Sequence, residues 1–476
     1  MSCKVPFMRN TLPFVTALFF CAVSALADTG LTRGPYLQQG APTEMTIVWR
    51  THHPCNPAVR FGPVAGAADR RVDGEAVVVR VAPDSHESSN LPRLHSAPPG
   101  TFQYEARLTG LHPDTRYYYE VLDGSQILVS GLDYYFETSP RKGDAAQTGI
   151  WVLGDSGTGS PYAASVYKSM REYTSATSFA VDVMLHLGDM AYVSGLDHEF
   201  QRRFFDMYQP TLRNTVCWPT MGNHEGHTSN GKTGIGPYFD AYVVPKHGES
   251  GGVPSGTESY YSFDYGRIHF VVLNSYDMDR RPHKPMARWL KRDLAAVKDA
   301  DWIVAFCHHP PYTMGTHNSD VEVEHREIRE HIMPILEEGG VDLVLGGHSH
   351  IYERSMLLDG AYASPTRAEG VVLDDGDGSP NGDGPYRKSA GIHGREGVIA
   401  IVAGNGGASV GRMGTMPVMR KSIVELGSNL LEFNGDTMEG AMLGTNGIIL
   451  DTYSIVKQGK VTPVHIGHPW QPIGTK

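Results

Sequence analysis

Five short motifs, in one order, carry side chains that bind metal ions. They are Gly154-Asp155-Ser156-Gly157, Gly188-Asp189-Met190-Ala191-Tyr192, Gly222-Asn223-His224-Glu225, His308-His309-Pro310-Pro311-Tyr312 and Gly347-His348-Ser349-His350. Among their side chains are two Asp, the Tyr of the second motif, one Asn and several His, a set that suits two ions sharing one bridging carboxylate. A pair of ions about 3.5–4 Å apart is a known device for attacking phosphate esters. Singly, each motif says little. An Asp after a Gly often only starts a turn, and a lone Tyr is more often a core or rim aromatic. Cys307, just before His308, reads as a small buried apolar residue. The order and company of the motifs carry the signal.

The elements that must position these residues are legible. Ile150-Trp151-Val152-Leu153 leads into Asp155, and Val183 to Leu187 leads into Asp189. Trp302 to Phe306 leads into His308, and Val341 to Leu345 leads into His348. Short apolar runs bounded by Gly or Pro predict central strands of a covered sheet. Ligands just past strand ends converge on one crevice. Between them, residues 285–297 carry Met286, Trp289, Leu290 and Leu294 at helical spacing, and residues 324–338 carry Ile328, Ile332 and Ile335. Alternating strands and helices predict α/β architecture.

The pattern resembles the calcineurin-like metallophosphoesterases, and within them the purple acid phosphatases. Two features are specific to that subfamily. A Tyr stands three residues after the second-motif Asp, as Tyr192 does to Asp189, and the last motif runs on into Ile351-Tyr352-Glu353-Arg354. The resemblance covers the chain from about Leu31 onward and weakens over the last hundred residues. It implies a metallophosphoesterase sandwich of two mixed sheets flanked by helices, over residues 149–476. It also implies that Asp155, Tyr192 and His350 hold Fe(III), that Asp189 bridges, and that Asn223, His308 and His348 hold a divalent iron, zinc or manganese. Hard anionic oxygens do suit a trivalent ion, and imidazole with an amide oxygen suits a divalent one. The implied reaction is in-line attack of a metal-bound hydroxide on a phosphate monoester, with the ions screening charge on the equatorial oxygens. His224, beside Asn223, would bind a phosphate oxygen or protonate the leaving group. His317, nine residues after His308, takes the same catalytic and substrate-binding part by resemblance. His309 departs from the plant pattern and is a further candidate for the substrate side.

This reading is a secreted acid phosphatase. Its rivals are a phosphodiesterase or nucleotidase on the same metal core, and an all-divalent phosphatase working at neutral or alkaline pH. From another class comes a catalytically silent surface-binding protein, which would need broken ligands; none is broken here.

Residues 28–139 form a separate unit. Met45 to Trp49, Ala58 to Phe61 and Glu75 to Val79 read as short strands, and Leu111 to Tyr117 resembles the tyrosine corner of fibronectin type III domains. An all-β fibronectin- or immunoglobulin-like sandwich is expected, joined by a linker over 140–148. Its expected role is support or orientation of the catalytic unit. Residues 1–27 carry Lys4 and Arg9, an apolar stretch and Ala25-Leu26-Ala27, the pattern of an export signal. A secreted or periplasmic protein follows. Cys55, Cys217 and Cys307 then remain, enough for one disulfide at most, and no Asn-x-Ser/Thr sequon occurs, which favours a bacterial source. The net charge of −11 comes with no basic stretch to track nucleic acid, and no segment is long and apolar enough to span a membrane. Small phosphate esters are the expected partners; oligomeric state is not legible.

Residues 359–396 are rich in Gly, Asp, Ser and Pro. The stretch from Asp374 to Asp383 looks like a calcium loop but lacks the sixth-position Gly and terminal Glu of an EF-hand. An ordinary loop that overhangs the site and sets substrate choice is expected. Residues 448–455 and 460–466 are expected to pair as a hairpin across Gln458-Gly459.

Overall fold

The computed structural model describes residues 30–79, 97–98 and 100–466. Residues 1–27, expected to be an export signal, lie outside them. Two seven-stranded mixed sheets make the larger unit. In the first, Thr148–Leu153, Val183–His186 and Cys217–Pro219 run parallel, with Leu153 level with His186 and His186 level with Pro219. In the second, Ile268–Val272, Trp302–Phe306, Leu343–Gly346 and Ile399–Ala403 are parallel neighbours. Level registers put the C-terminal ends of these strands on one edge. All five motifs follow such ends.

The period-two pattern decides which way each strand faces. Trp302, Val304 and Phe306 join Leu343, Leu345, Ile399 and Ile401 in the core between the sheets. Ile303, Ala305 and Cys307 face the other way, onto Met286, Trp289, Leu290, Ile328 and Ile332. Those last come from the helices predicted at 285–297 and 324–338. The first is Pro285–Ala296. The second is broken into Val323–Glu327, a wide turn Ile328–Ile332, and Met333–Glu338. Pro334 has no N–H to give the preceding turn, so the α-helical ladder cannot run through it.

The hairpin expected at 448–466 does not form. Ile449–Lys457 pairs antiparallel with Thr437–Gly444, and its other edge is taken by Tyr386–Lys388 in parallel. With both edges filled, residues 460–466 leave the sheet, and Ile466 N–H donates to Val372 O. The loop at 359–396 also departs from expectation. Its anchors are Glu337, Asp342, Arg354 and the strand near Ser454, together with Asp320 behind the His317 loop. Asp342 lies before the strand whose far end bears His348 and holds Lys388, so the C-terminal part of the loop braces the opposite end of the sheet. The segment that leans over the site is 404–416: Ala408 N–H donates to Asp155 O and Gly411 N–H to His350 O.

The N-terminal unit is two sheets. One is Leu31–Ala41, Glu44–Thr51, Phe102–Thr109 and Glu75–Val79; the other is built on Pro57–Gly62 and Arg116–Asp123. The tyrosine corner is present: His112 N–H donates to the Tyr117 hydroxyl at 2.9 Å. This unit grips the larger one. Arg50 and Arg33 both reach Asp197, at 2.6 and 3.3 Å, and the Tyr36 hydroxyl donates to Ala241 O at 2.7 Å. No disulfide links the three described cysteines.

A buried charge cluster ties the linker to the second sheet. His269 sits between Asp264, at 2.7 Å, and Asp293, at 3.0 Å, while Lys142 reaches Asp264 at 3.0 Å. Burial disfavours the imidazolium, but the two carboxylates outweigh it and raise His269 to about 9. A raised His stabilises the fold fully below its unfolded value of about 6.5 and loses that contribution as pH climbs through the folded one. The thermal midpoint should therefore fall between pH 6.5 and 9 more steeply in the native chain than in His269→Gln. Parallel melting curves for the two proteins over that range would refute this.

Candidate metal centre

Local backbone geometry aims the ligands. Asp155, Asp189 and His348 all have left-handed φ, at 55°, 59° and 62°. Side chains rarely tolerate this region, and it turns the chain sharply at a strand end. Gly222 and Gly347 allow the motif loops to touch: a Cβ on Gly222 would strike the Asp189 carboxylate, and one on Gly347 the Asp155 carboxylate.

The seven predicted ligands come together in two adjoining groups. In the first, the Tyr192 hydroxyl lies 3.2 Å from Asp155 Oδ1 and 3.2 Å from His350 Nε2. In the second, Asn223 Oδ1 lies 2.9 Å from both His308 Nε2 and His348 Nδ1, and those nitrogens are 3.2 Å apart. Asp189 stands between them. Its carboxylate is 3.5 Å from His308 Nε2, and Asp155, Asp189 and His308 present ligand atoms within 4.8 Å of one another.

The second group can be tested for its fit to a cation. His308 Nδ1–H donates to Leu187 O at 2.8 Å, so its Nε2 carries a lone pair when the ring is neutral. That lone pair faces an amide oxygen and another ring nitrogen. A cation placed among these atoms would satisfy all three as acceptors. Without a metal, a proton takes the place: burial opposes it, yet Asp189 and Asp155 raise His308 to about 9. In the first group, burial and then Asp155 push the Tyr192 hydroxyl well above its ordinary range. Only a multivalent ion would make it a phenolate there. The donor set therefore fits two metal ions.

Groups to which the sequence assigned no role of their own hold the ligand loops. Glu225 is fully buried and accepts four backbone N–H groups, those of Asp189, Met190, Ala191 and Gly222, at 2.8 to 3.0 Å. It was visible as the last residue of the third motif, with nothing to mark its role. Glu199 accepts from Val193, Ser194 and Leu196, which clamps the chain just after Tyr192. Glu353 accepts from the Thr313 hydroxyl at 2.6 Å and from Met314 N–H, and so fixes the loop whose Thr316 hydroxyl receives His350 N–H.

The substrate-side histidines divide. His224 is partly exposed; its Nδ1–H donates to Val193 O at 2.5 Å, its ring lies 4.2 Å from that of Tyr192, and Nε2 is left free beside Asp189. His317 is half-buried, 3.8 Å ring to ring from His348, with Nδ1 on Glu322 at 3.0 Å. His309 is a correction. It is only 3% exposed, bonded to the Ser275 hydroxyl and packed against His308, His325 and His348. Burial and the neighbouring imidazoles hold it neutral, well below its ordinary value. It supports the ligand shell from beneath. Cys307 is a buried thiol, pushed by burial up to about 12, and so offers no thiolate.

Comparison with known proteins finds two family models along the chain. A calcineurin-like phosphoesterase family model covers residues 148–352, and the N-terminal domain model of purple acid phosphatases covers 33–138. Purple acid phosphatase 15 of Arabidopsis thaliana is 30% identical over 302 residues, 57% of this chain. The chain spans about half, 53%, of that relative's length. An uncharacterised protein of Mycobacterium tuberculosis is 27% identical over 411 residues, 79% of this chain and 69% of that one. The solved purple acid phosphatase PPD1 from yellow lupin seeds superposes with a TM-score of 0.71 at 19% identity, over 93% of this chain and 77% of that one. It shows the shared fold.

Proposed function

We propose that this chain, which matches a calcineurin-like phosphoesterase family model over residues 148–352 and the N-terminal domain model of purple acid phosphatases over 33–138, hydrolyses phosphate monoesters at a binuclear metal centre. Asp155, Tyr192 and His350 would hold Fe(III), Asp189 would bridge, and Asn223, His308 and His348 would hold a divalent iron, zinc or manganese. The observation that carries this reading is the convergence of lone pairs from Asn223, His308 and His348 at 2.9 to 3.2 Å, beside the Asp155–Tyr192–His350 group.

The ions, when bound, activate a water and neutralise phosphate charge. The chain's own residues do the rest. As a water oxygen adds in line to phosphorus and the ester P–O bond breaks, the departing alkoxide needs a proton. Protonated His224, its ring fixed by Val193 O and Tyr192, presents Nε2–H at the mouth of the site to supply it. His317, steadied at Nδ1 by Glu322, would turn Nε2 toward a phosphate oxygen on the divalent side. Export through the N-terminal 27 residues would put this activity outside the cytoplasm.

Metal analysis of the purified protein, beside its pH–rate profile on nitrophenyl phosphate and on the bis-ester, tests the reading. Two ions per chain, one of them iron, an acid optimum and faster monoester cleavage are expected. A fully loaded protein that leaves every phosphate ester intact would sink it. Tyr192→Phe adds a spectroscopic check. The native protein should show a visible phenolate-to-iron absorption band and the variant should not; an unchanged band would remove Tyr192 from the ligand set.

A further inference from the structure

A cavity of about 190 Å³ lies along the seam between the two units, and the proposed reaction leaves it unused. Residues 180–182 and 214–216 line it and lead into Val183–His186 and Cys217–Pro219. It therefore sits at the N-terminal ends of those strands, opposite the edge that bears Asp189 and Asn223. Leu37 and Met45 of the N-terminal unit face Trp218 and Phe263 of the larger one across it. The last two rings stack 3.8 Å apart and make an aromatic wall. A cavity of about 150 Å³ is enough for benzene, so this one has room for a ring with a short arm.

Two polar groups in its lining are incompletely matched. Asp182 accepts Gly149 N–H through Oδ2 at 2.7 Å, and among the described residues its Oδ1 has no donor. Burial raises Asp182 to about 6, and the charged groups that add to the shift, Glu137, Asp114 and Glu432, are all carboxylates. Nearby Arg116 and Lys142 are engaged elsewhere, by Glu137 at 2.6 Å and by Asp264 at 3.0 Å. Ser139, 5% exposed, has a buried hydroxyl with no partner. Such a group costs stability until something bonds to it.

We propose that this cavity binds a small organic ammonium ion, with Asp182 and Ser139 receiving its N–H donors and the Trp218–Phe263 wall covering its apolar body. An ammonium brings three donors and no acceptor, which suits an open carboxylate oxygen and an unpaired hydroxyl. Its charge offsets the local excess of carboxylates, whereas an anion would be repelled. Apolar area removed from water adds to binding. Both units line the cavity, so an occupant should raise the melting midpoint as its concentration grows.

This site is independent of the reaction proposed above. Benzylamine and butylamine are titrated into the full-length protein, each alongside the corresponding alcohol, and followed by calorimetry and by melting midpoint. The amines should saturate at millimolar concentration and bind at least about tenfold more tightly than the alcohols, the worth of one hydrogen bond to a charged group. Asp182→Asn keeps an oxygen for Gly149 N–H and should lose that preference. Amines that fail to bind the native protein, or that bind no better than their alcohols, would overturn the site. Full amine affinity in Asp182→Asn would do the same, by putting the ligand elsewhere. Should that variant not fold, Ser139→Ala takes its place, and undiminished amine binding there counts against the site equally.

Discussion

Asp189→Asn should cost at least about a thousandfold in phosphate-ester turnover, on the order of 4 kcal/mol in the barrier, and should release metal. The carboxylate lies between the two ligand groups, 3.5 Å from His308 Nε2 and within ligand reach of Asp155. Burial alone would favour its neutral form, but His308 and His224 outweigh it and hold Asp189 down at about 2. The site therefore contains a full negative charge where two cations would meet. An amide keeps the shape and the hydrogen bond from His224 N–H but presents one neutral oxygen, which cannot balance two ions. Metal content and single-turnover rate, measured on the same sample, check this. A variant that keeps both ions and full turnover would place the bridge elsewhere.

Glu225→Ala should damage the protein nearly as much without touching an ion. Four backbone N–H groups from two motif loops end on that one carboxylate. Truncation orphans all four. Each unsatisfied buried donor costs about 1–3 kcal/mol before relaxation, so a loss of several kcal/mol is expected even if water enters the cavity. Burial and the neighbouring Asp189 charge raise Glu225 to about 7, so its ionised form is held against repulsion by those four donors. Glu225→Gln is the sharper test. It retains volume and one acceptor while placing an N–H₂ against backbone donors, and it should loosen metal retention by about 10–100-fold with a smaller drop in melting temperature. Unchanged metal affinity in the Gln variant would mean that the loops hold their shape without this anchor.

The chemistry was the most legible part of the chain. Asp155, Asp189, Tyr192, Asn223, His308, His348 and His350 stand at positions that one linear pattern marks, and the strands leading into the Asp and His motifs are plain apolar runs. Local rules reach that far because a strand, its turn and the ligand after it lie within a few residues. They failed where the outcome turned on partners distant in sequence. Residues 460–466 could not pair with 449–457, because Tyr386–Lys388 already holds that edge. His309 looked like a substrate contact until Ser275 and His325, from other elements, were seen to enclose it. The Gly- and Asp-rich loop was expected over the site, yet Glu337, Asp342 and Arg354 draw it to the far end of the sheet.

What the linear order of residues determined by itself was which atoms can ligate and that a strand end would deliver each one, since donor chemistry and period-two burial are local properties. The tertiary structure alone decided that seven donors from five loops face one another across a few ångströms, that Glu225 pins two of those loops, and that His325 and Glu322 lie against His348. Those facts depend on strand register and on which buried group accepts which N–H, and both are settled only when the sheets pack.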